Sequence, residues 1–251
     1  MNWLVFVLVG SIAQLIDGSM GMGFGLTSTT LLLSLGATAA LSSTMVHLAE
    51  IGTTLASGAS HWKVGNVDKI VLKKLAIPGG IGAFAGATFL SFIDLSAAKI
   101  FISTLLLFLG GLLLYRSIVK VPSQIAIAEV KNPRFISYLG FTGGFVDASG
   151  GGGWGPVVTP TLLASSVIEP KKIIGTVSMA EFIVALSASA GFLANISRLN
   201  IDWAAVGGLA LGGIVTAPFA ALLAGKLSAK VLGIFVSITI IVINGSRIIL
   251  A

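Results

Sequence analysis

The sequence contains no cysteine. That absence excludes disulfides, thiolate metal sites and thiol redox chemistry. Charge is also scarce: 10% of the 251 residues are Asp, Glu, Lys or Arg, against roughly 25% in an average soluble domain. A water-facing surface cannot be covered with 15 basic and 9 acidic side chains over this length. A soluble enzyme, a disordered chain and a nucleic-acid-binding domain are therefore excluded as classes. With 2 histidines, His47 and His61, the chain builds no His-rich metal site. No ATP-binding pattern is present, no cofactor is expected, and the reading is not that of an enzyme.

What the chain has in excess is apolar: 55% of its residues are hydrophobic and its mean hydropathy is +1.04. Side chains of that kind must face lipid, or each other within lipid, so the lipid bilayer is the first partner. A spanning helix needs about 20 residues, which leaves little chain for an extramembrane domain. The expected class is an all-α polytopic membrane protein. In that class a net charge of +6 reflects basic cytoplasmic loops rather than a nucleic-acid partner. Residues 1–16 are apolar but have neither a basic n-region nor a small-residue cleavage site, so they read as a retained segment, not a signal peptide.

Five apolar segments, a to e, lie at residues 3–16, 24–35, 39–60, 75–93 and 97–117. The same order returns at 135–146, 154–166, 173–194, 203–223 and 230–250. The likeness is visible in residues. Asp17-Gly-Ser-Met-Gly-Met-Gly-Phe-Gly25 aligns with Asp147-Ala-Ser-Gly-Gly-Gly-Gly-Trp-Gly155, Glu50 with Glu181, and Arg116 with Arg247, at an offset of about 130. A tandem duplication is the economical reading: residues 1–117 form a first repeat, 118–134 a cytoplasmic linker and 135–251 a second repeat.

Basic residues orient the halves. Lys63, Lys69, Lys73 and Lys74 follow the first c segment; Arg116, Lys120, Lys131 and Arg134 lie between the halves; Lys171, Lys172, Lys226 and Lys230 flank the second c segment and the second d–e connection. Placing these in the cytoplasm puts the d–e connection outside in half one and inside in half two, an inverted topology. Each a–b pair must then enter and leave on one side, and both termini lie outside. In each half, segments a and b fall short of a crossing and flank a Gly-rich stretch. They are expected to be a re-entrant helical hairpin, joined by three transmembrane helices per repeat.

Chemistry is expected at the two glycine-rich tips. Glycine permits positive φ and close approach of a ligand to the backbone. Each b helix starts just after its tip, with free amides and about half a positive charge at its N-terminus. Two such ends aimed at one cavity would bind an anion without Lys or Arg. The candidate substrate-binding residues are Gly21, Gly23, Phe24 and Gly25 in the first tip and Ser149, Gly151, Gly152, Gly153, Trp154 and Gly155 in the second. Asp17 and Asp147 precede the tips, and Glu50 and Glu181 lie within the c helices, with His47 one turn before Glu50. Carboxylates at membrane depth are functional candidates, although an Asp before a helix also serves as its cap. An anion beside ionised carboxylates is repelled, so these five residues are candidates for coupling to H+ or Na+. A cation or metal permease using the carboxylates, and a non-transporting membrane subunit, are the competing readings. A homo-oligomer is compatible with all three.

An Asp followed by glycines and a short apolar helix, occurring twice in a chain of this length, resembles the sulfite exporter TauE/SafE family. Phe145-Val-Asp-Ala-Ser-Gly-Gly-Gly-Gly-Trp-Gly-Pro156 carries the likeness most specifically. The resemblance implies a secondary transporter that exports a small sulfur-containing anion, sulfite or an organosulfonate, across the bacterial inner membrane.

Overall fold

A computed structural model of the chain describes residues 3–20, 22–119, 133–165, 170–195, 201–223 and 229–249. Among them every regular element is an α-helix, as expected from composition. The first half supplies α1 (Trp3–Met20), α2 (Phe24–Ser34), α3 (Ala39–Lys63), α4 (Lys69–Phe92) and α5 (Leu95–Ile118). The second supplies α6 (Pro133–Gly150), α7 (Trp154–Ser165), α8 (Pro170–Leu193), α9 (Trp203–Leu223) and α10 (Ala229–Ile249). Most of the expected linker, and the connections around Lys226 and Arg198, lie outside the described residues.

Aspartates start several of these helices. Asp68 accepts from the amides of Ile70 and Val71 at 2.9 and 3.0 Å, and Asp94 from those of Ser96 and Ala97 at 3.1 and 3.0 Å. Asp202 accepts from Ala204 and Ala205 at 3.0 and 3.1 Å. Each side chain satisfies two amides that have no partner within their helix.

The a segments are longer than the sequence reading had them. α1 and α6 each run 18 residues, about 27 Å at a rise of 1.5 Å per residue. Both helices continue through their aspartate and into the start of the glycine stretch. α2 and α7 remain short at 11 and 12 residues. The arms of each a–b pair are therefore unequal, one nearly as long as the hydrocarbon is thick.

Lys69–Phe92, Leu95–Ile118 and Lys172–Leu193 are each long and apolar enough to cross a membrane. α3 is equally long at 25 residues but more polar. Its Ser42, Ser43, Thr44, His47 and Glu50 are all buried, so its polarity is turned into the protein. α10 shows the opposite face, with Val231, Phe235, Ile238 and Val242 exposed at helical spacing, as a lipid-facing stripe requires.

The packing has a twofold pattern. α4 lies along α6 and α1 along α9; α3 meets α8 and α5 meets α10; α2 rests on α3 and α7 on α8. Exchanging the halves maps each of these pairs onto another of them or onto itself. Close approach repeats the pattern, since Gly10 sits against the Leu209 carbonyl and Gly140 against the Leu75 carbonyl. α3 and α8 form the central pair, and the two helix breaks meet beside them.

Candidate functional site

The breaks between α1 and α2 and between α6 and α7 cross each other backbone to backbone. A Cβ added to Gly25 would stand 2.5 Å from the Gly152 Cα and 3.1 Å from the Glu50 Oε1; one added to Gly155 would stand 2.9 Å from the Met22 Cβ. Gly151 and Gly152 adopt φ of 73° and 137°, which a side chain resists. Thr29 of α2 donates to the Gly151 carbonyl, tying the first short helix to the second break. Glycine is required here because each backbone occupies the space where the other's side chains would be.

The two aspartates use matching geometry. Asp147 Oδ1 accepts from the amides of Gly153 and Trp154 at 2.7 and 2.9 Å, and Asp17 Oδ1 accepts from Phe24 at 3.4 Å. Each carboxylate near the end of one helix thus caps the short helix after the break. Asp147 has a second partner, because its Oδ2 lies 3.2 Å from the His47 Nε2. The His47 Nδ1 lies 2.8 Å from the Ser43 carbonyl, which can only accept. Nδ1 is therefore the donor to that carbonyl, and Nε2 faces the Asp147 carboxyl. Ser43 completes the arrangement by donating to the Ala148 carbonyl at 2.7 Å. These bonds join α3 to the end of α6.

Glu50 completes a buried cluster. One donor atom each from His47, Glu50 and Asp147 lie within 4.8 Å of one another, a separation that a bound cation can bridge. A small pocket at the crossing is lined by Gly23, Gly25, Gly152, Glu50, Asp147 and Glu181. Its volume is near 10 Å³, about the room for one water. A larger cavity of about 440 Å³ lies beside it, among α1, α2, α3, α8 and α9. Asp17, Phe24, Glu50 and Glu181 line its floor, while Ser57, His61 and Ser178 line its walls.

The expected site residues therefore divide. Gly23, Phe24, Gly25, Gly152, Gly155, Asp147, Glu50 and Glu181 meet at the crossing pocket, and Asp17 faces the adjoining cavity. Gly151 and Gly153 shape the second break, one against Thr29 and the other through its amide to Asp147. Ser149 turns back to donate to the Phe145 carbonyl at 2.6 Å. Trp154 is fully buried, with its indole nitrogen 3.3 Å from the Val177 carbonyl and its ring packed on Gly79. Gly21 lies outside the described residues.

Amides available to an anion are unequal at the two tips. In the first turn of α2, Gly25 and Leu26 line the crossing pocket. In α7 the matching positions are Gly155 and Pro156, and proline has no N–H.

Ser43 was not singled out in the sequence, and Arg116 and Arg247, aligned there with each other, were given no part in the site. Ser43 is legible only as the residue one turn before His47. Arg116, read as a loop residue, lies in the last turn of α5 and donates to the Pro156 carbonyl at 2.6 Å. Arg247, its mate, donates to the Leu33 carbonyl near the end of α2. No periodicity marks either contact, because each joins residues from different halves.

The model of the family described as sulfite exporter TauE/SafE matches residues 6–246. The chain is also similar to the "Probable membrane transporter protein YtnM" of Bacillus subtilis (strain 168). The two are 47% identical over 247 residues, covering 98% of this chain and 82% of that protein. No solved structure matches the chain.

Proposed function

On the premise that the chain belongs to the sulfite exporter TauE/SafE family of membrane transporters, we propose that it is a secondary transporter of a small sulfur-containing anion, coupled to protons. Sulfite is the substrate in the family's name, and an organosulfonate carries the same kind of sulfur oxyanion. The substrate enters the cavity beside the glycine crossing and is held by the first-turn amides of α2 and α7. The proposal includes the duplicated, inverted topology, with α1–α2 and α6–α7 as re-entrant hairpins, both termini outside and the bacterial inner membrane as location. The twofold pattern of helix packing supports the duplication, and the break after each aspartate supports the hairpins.

The observation that carries the proposal is the meeting of two helix N-termini with three carboxylates, Glu50, Asp147 and Glu181, at one small pocket, with Asp17 in the adjoining cavity and His47 on Asp147. Amide ends attract an anion, while ionised carboxylates repel it by about 4 kcal/mol for a pair about 4 Å apart at an effective dielectric of about 20. Protons on the acidic groups remove that conflict. Asp17, Asp147, Glu50, Glu181 and His47 are therefore the coupling groups, with H+ preferred to Na+.

Flux of labelled sulfite in proteoliposomes, against a panel of anions and with imposed pH and Na+ gradients, tests this. Sulfite or sulfonate accumulation driven by a pH gradient is the expected result. A second reading, a cation permease, is favoured by the convergence of His47, Glu50 and Asp147 donors. It requires cation-dependent flux with no anion requirement, which the same panel detects.

A further inference from the structure

The two halves match in which helices pack together but not in what those helices enclose. Equivalent positions can be recognised from shared neighbours. Gly213 of α9 faces Thr53 and Phe24, as Gly79 of α4 faces Val184 and Trp154. Gly52 of α3 faces Ile214 of α9, as Ile183 of α8 faces Gly80 of α4. On that correspondence Phe24, Ser57, His61, Ser178 and Ala217, all lining the large cavity, become Trp154, Ala188, Phe192, His47 and Ala83. Every one of the latter is 0% exposed. The chain thus encloses an open space between α3 and α9 and a filled seam at the mate of that space, between α8 and α4.

The seam has fewer backbone-to-backbone approaches than the contacts that flank it. α4 and α6 touch backbone to backbone, with Gly82 and Gly86 against the carbonyls of Phe141 and Phe145. α1 and α9 do the same through Gly10 and Gly212. Each of these pairs is a unit that cannot slide without breaking close contacts. α4 meets α8 through α8 side chains, Ile183, Val184 and Ser187, seated on Gly79 and Gly80, and by one closer approach, Gly191 against the Phe84 carbonyl. The hydrogen bonds from His47 to Asp147 and from Ser43 to Ala148 hold α3 to α6 at the same end. On the open side the matching pair, Ser178 and Asp17, both line the large cavity.

We infer that the seam between α4 and α8 is a second access vestibule in its closed form. It opens when the α4–α6 unit leaves α8 and the α1–α9 unit closes on α3, so that the acidic crossing faces one side of the membrane at a time. Trp154, Ala188, Phe192 and Ala83 would then line the route by which the anion leaves, and the His47–Asp147 bridge would be the latch of the closed form. The inference rests on the inverted topology proposed above. A structure with two equivalent halves in different conformations has a partner state in which the halves exchange conformations.

Because the chain has no cysteine, single replacements report access directly. Ser57→Cys and Ala188→Cys are compared in native membranes with an impermeant maleimide applied to either face. A wedge is then added at the seam. The Cβ of Gly80→Leu would stand 2.7 Å from the Ser187 Oγ, and that of Gly191→Ala 2.9 Å from the Ala87 Cβ and the Phe84 carbonyl oxygen. The second is milder and serves if the first does not fold. Without a wedge, Ser57→Cys is expected to react from the cytoplasmic face and Ala188→Cys from neither. With either wedge, Ala188→Cys should react about tenfold faster from the outer face, and Ser57→Cys correspondingly slower from the inner one. Ser57→Cys reacting from the outer face would overturn the topology, and the vestibule with it. Ser57→Cys reacting as expected, with Ala188→Cys silent in a folded wedge variant, would leave the topology standing and overturn the vestibule alone. Faster reaction of both would mean a loosened protein and would also overturn it.

Discussion

Asp147 shows how one residue serves the fold and the site together. One oxygen caps α7 and the other meets His47. Replacing it with Asn keeps a carbonyl oxygen for the two amides and offers an N–H to a neutral His47 Nε2, so the geometry survives while the exchangeable proton is lost. The expected outcome of Asp147→Asn is retained anion binding, a flattened pH profile and loss of gradient-driven accumulation. Intact accumulation with an unchanged profile would leave Glu50 and Glu181 as the coupling groups. Gly152 permits a cleaner structural forecast. A Cβ there meets the Gly25 backbone, and the residue holds φ of 137°. Gly152→Ala should cost about 2–5 kcal/mol from strain plus overpacking, read as a fall in thermal stability in detergent. Gly36→Ala is the control, because Gly36 has φ of 92° with nothing within 4 Å, leaving only the strain of about 1–2 kcal/mol. The aspartates and glycines were legible in the sequence because they recur in register. His47 as the partner of Asp147 was not, because its equivalent in the other half is Ser178.

Helices in this chain owe their starts to aspartate and their positions to glycine. Asp94 caps α5 on an exposed connection, so Asp94→Ala should cost about 1 kcal/mol and leave transport unchanged. Asp147→Ala should cost more, about 3 kcal/mol or above, because it uncaps α7 and leaves the buried His47 without its partner. Denaturation of the two variants in detergent, compared with flux, separates a cap alone from a cap that is also part of the site. Segment counting located each of the helices among the described residues. It shortened α1 and α6, since a glycine stretch following an aspartate reads as a stop. Tertiary packing overrides that signal: α6 carries on to Gly150, where a Cβ would meet Leu105 of α5. α3 shows the opposite limit. Its buried Ser, Thr, His and Glu lower its hydropathy as a span, yet they are what a helix lining a polar interior needs.

At the scale of the molecule the testable property is the relation of the halves to the membrane. In the Cys-free chain, Lys73→Cys and Lys230→Cys should be labelled only from the cytoplasm and Asp94→Cys only from outside. Asp94 and Lys230 bound equivalent connections, so labelling of both from one side would remove the inverted arrangement. The basic face has structural support. Lys69, Lys73 and Lys74 surround one groove with Ser137 at the start of α6, while Ser57 and His61, from the same end of α3, line the large cavity. The open space and the lysines thus share an end of the molecule, which the proposed topology assigns to the cytoplasm.

The sequence by itself determined that this is a helical membrane protein with two matching stretches, each carrying an aspartate before a glycine tip. Those properties are compositional or local: hydropathy depends on which residues are present, and a repeat on their order. Tertiary structure alone decided that the tips cross backbone to backbone, that His47 reaches across about 100 residues of chain to Asp147, and that one half is open where the other is closed. The halves differ at the lining positions, where Trp154, Phe192 and His47 fill the space that Phe24, His61 and Ser178 leave open. That difference is tertiary, because the open space is walled by helices of both halves, α1, α2 and α3 from one and α8 and α9 from the other.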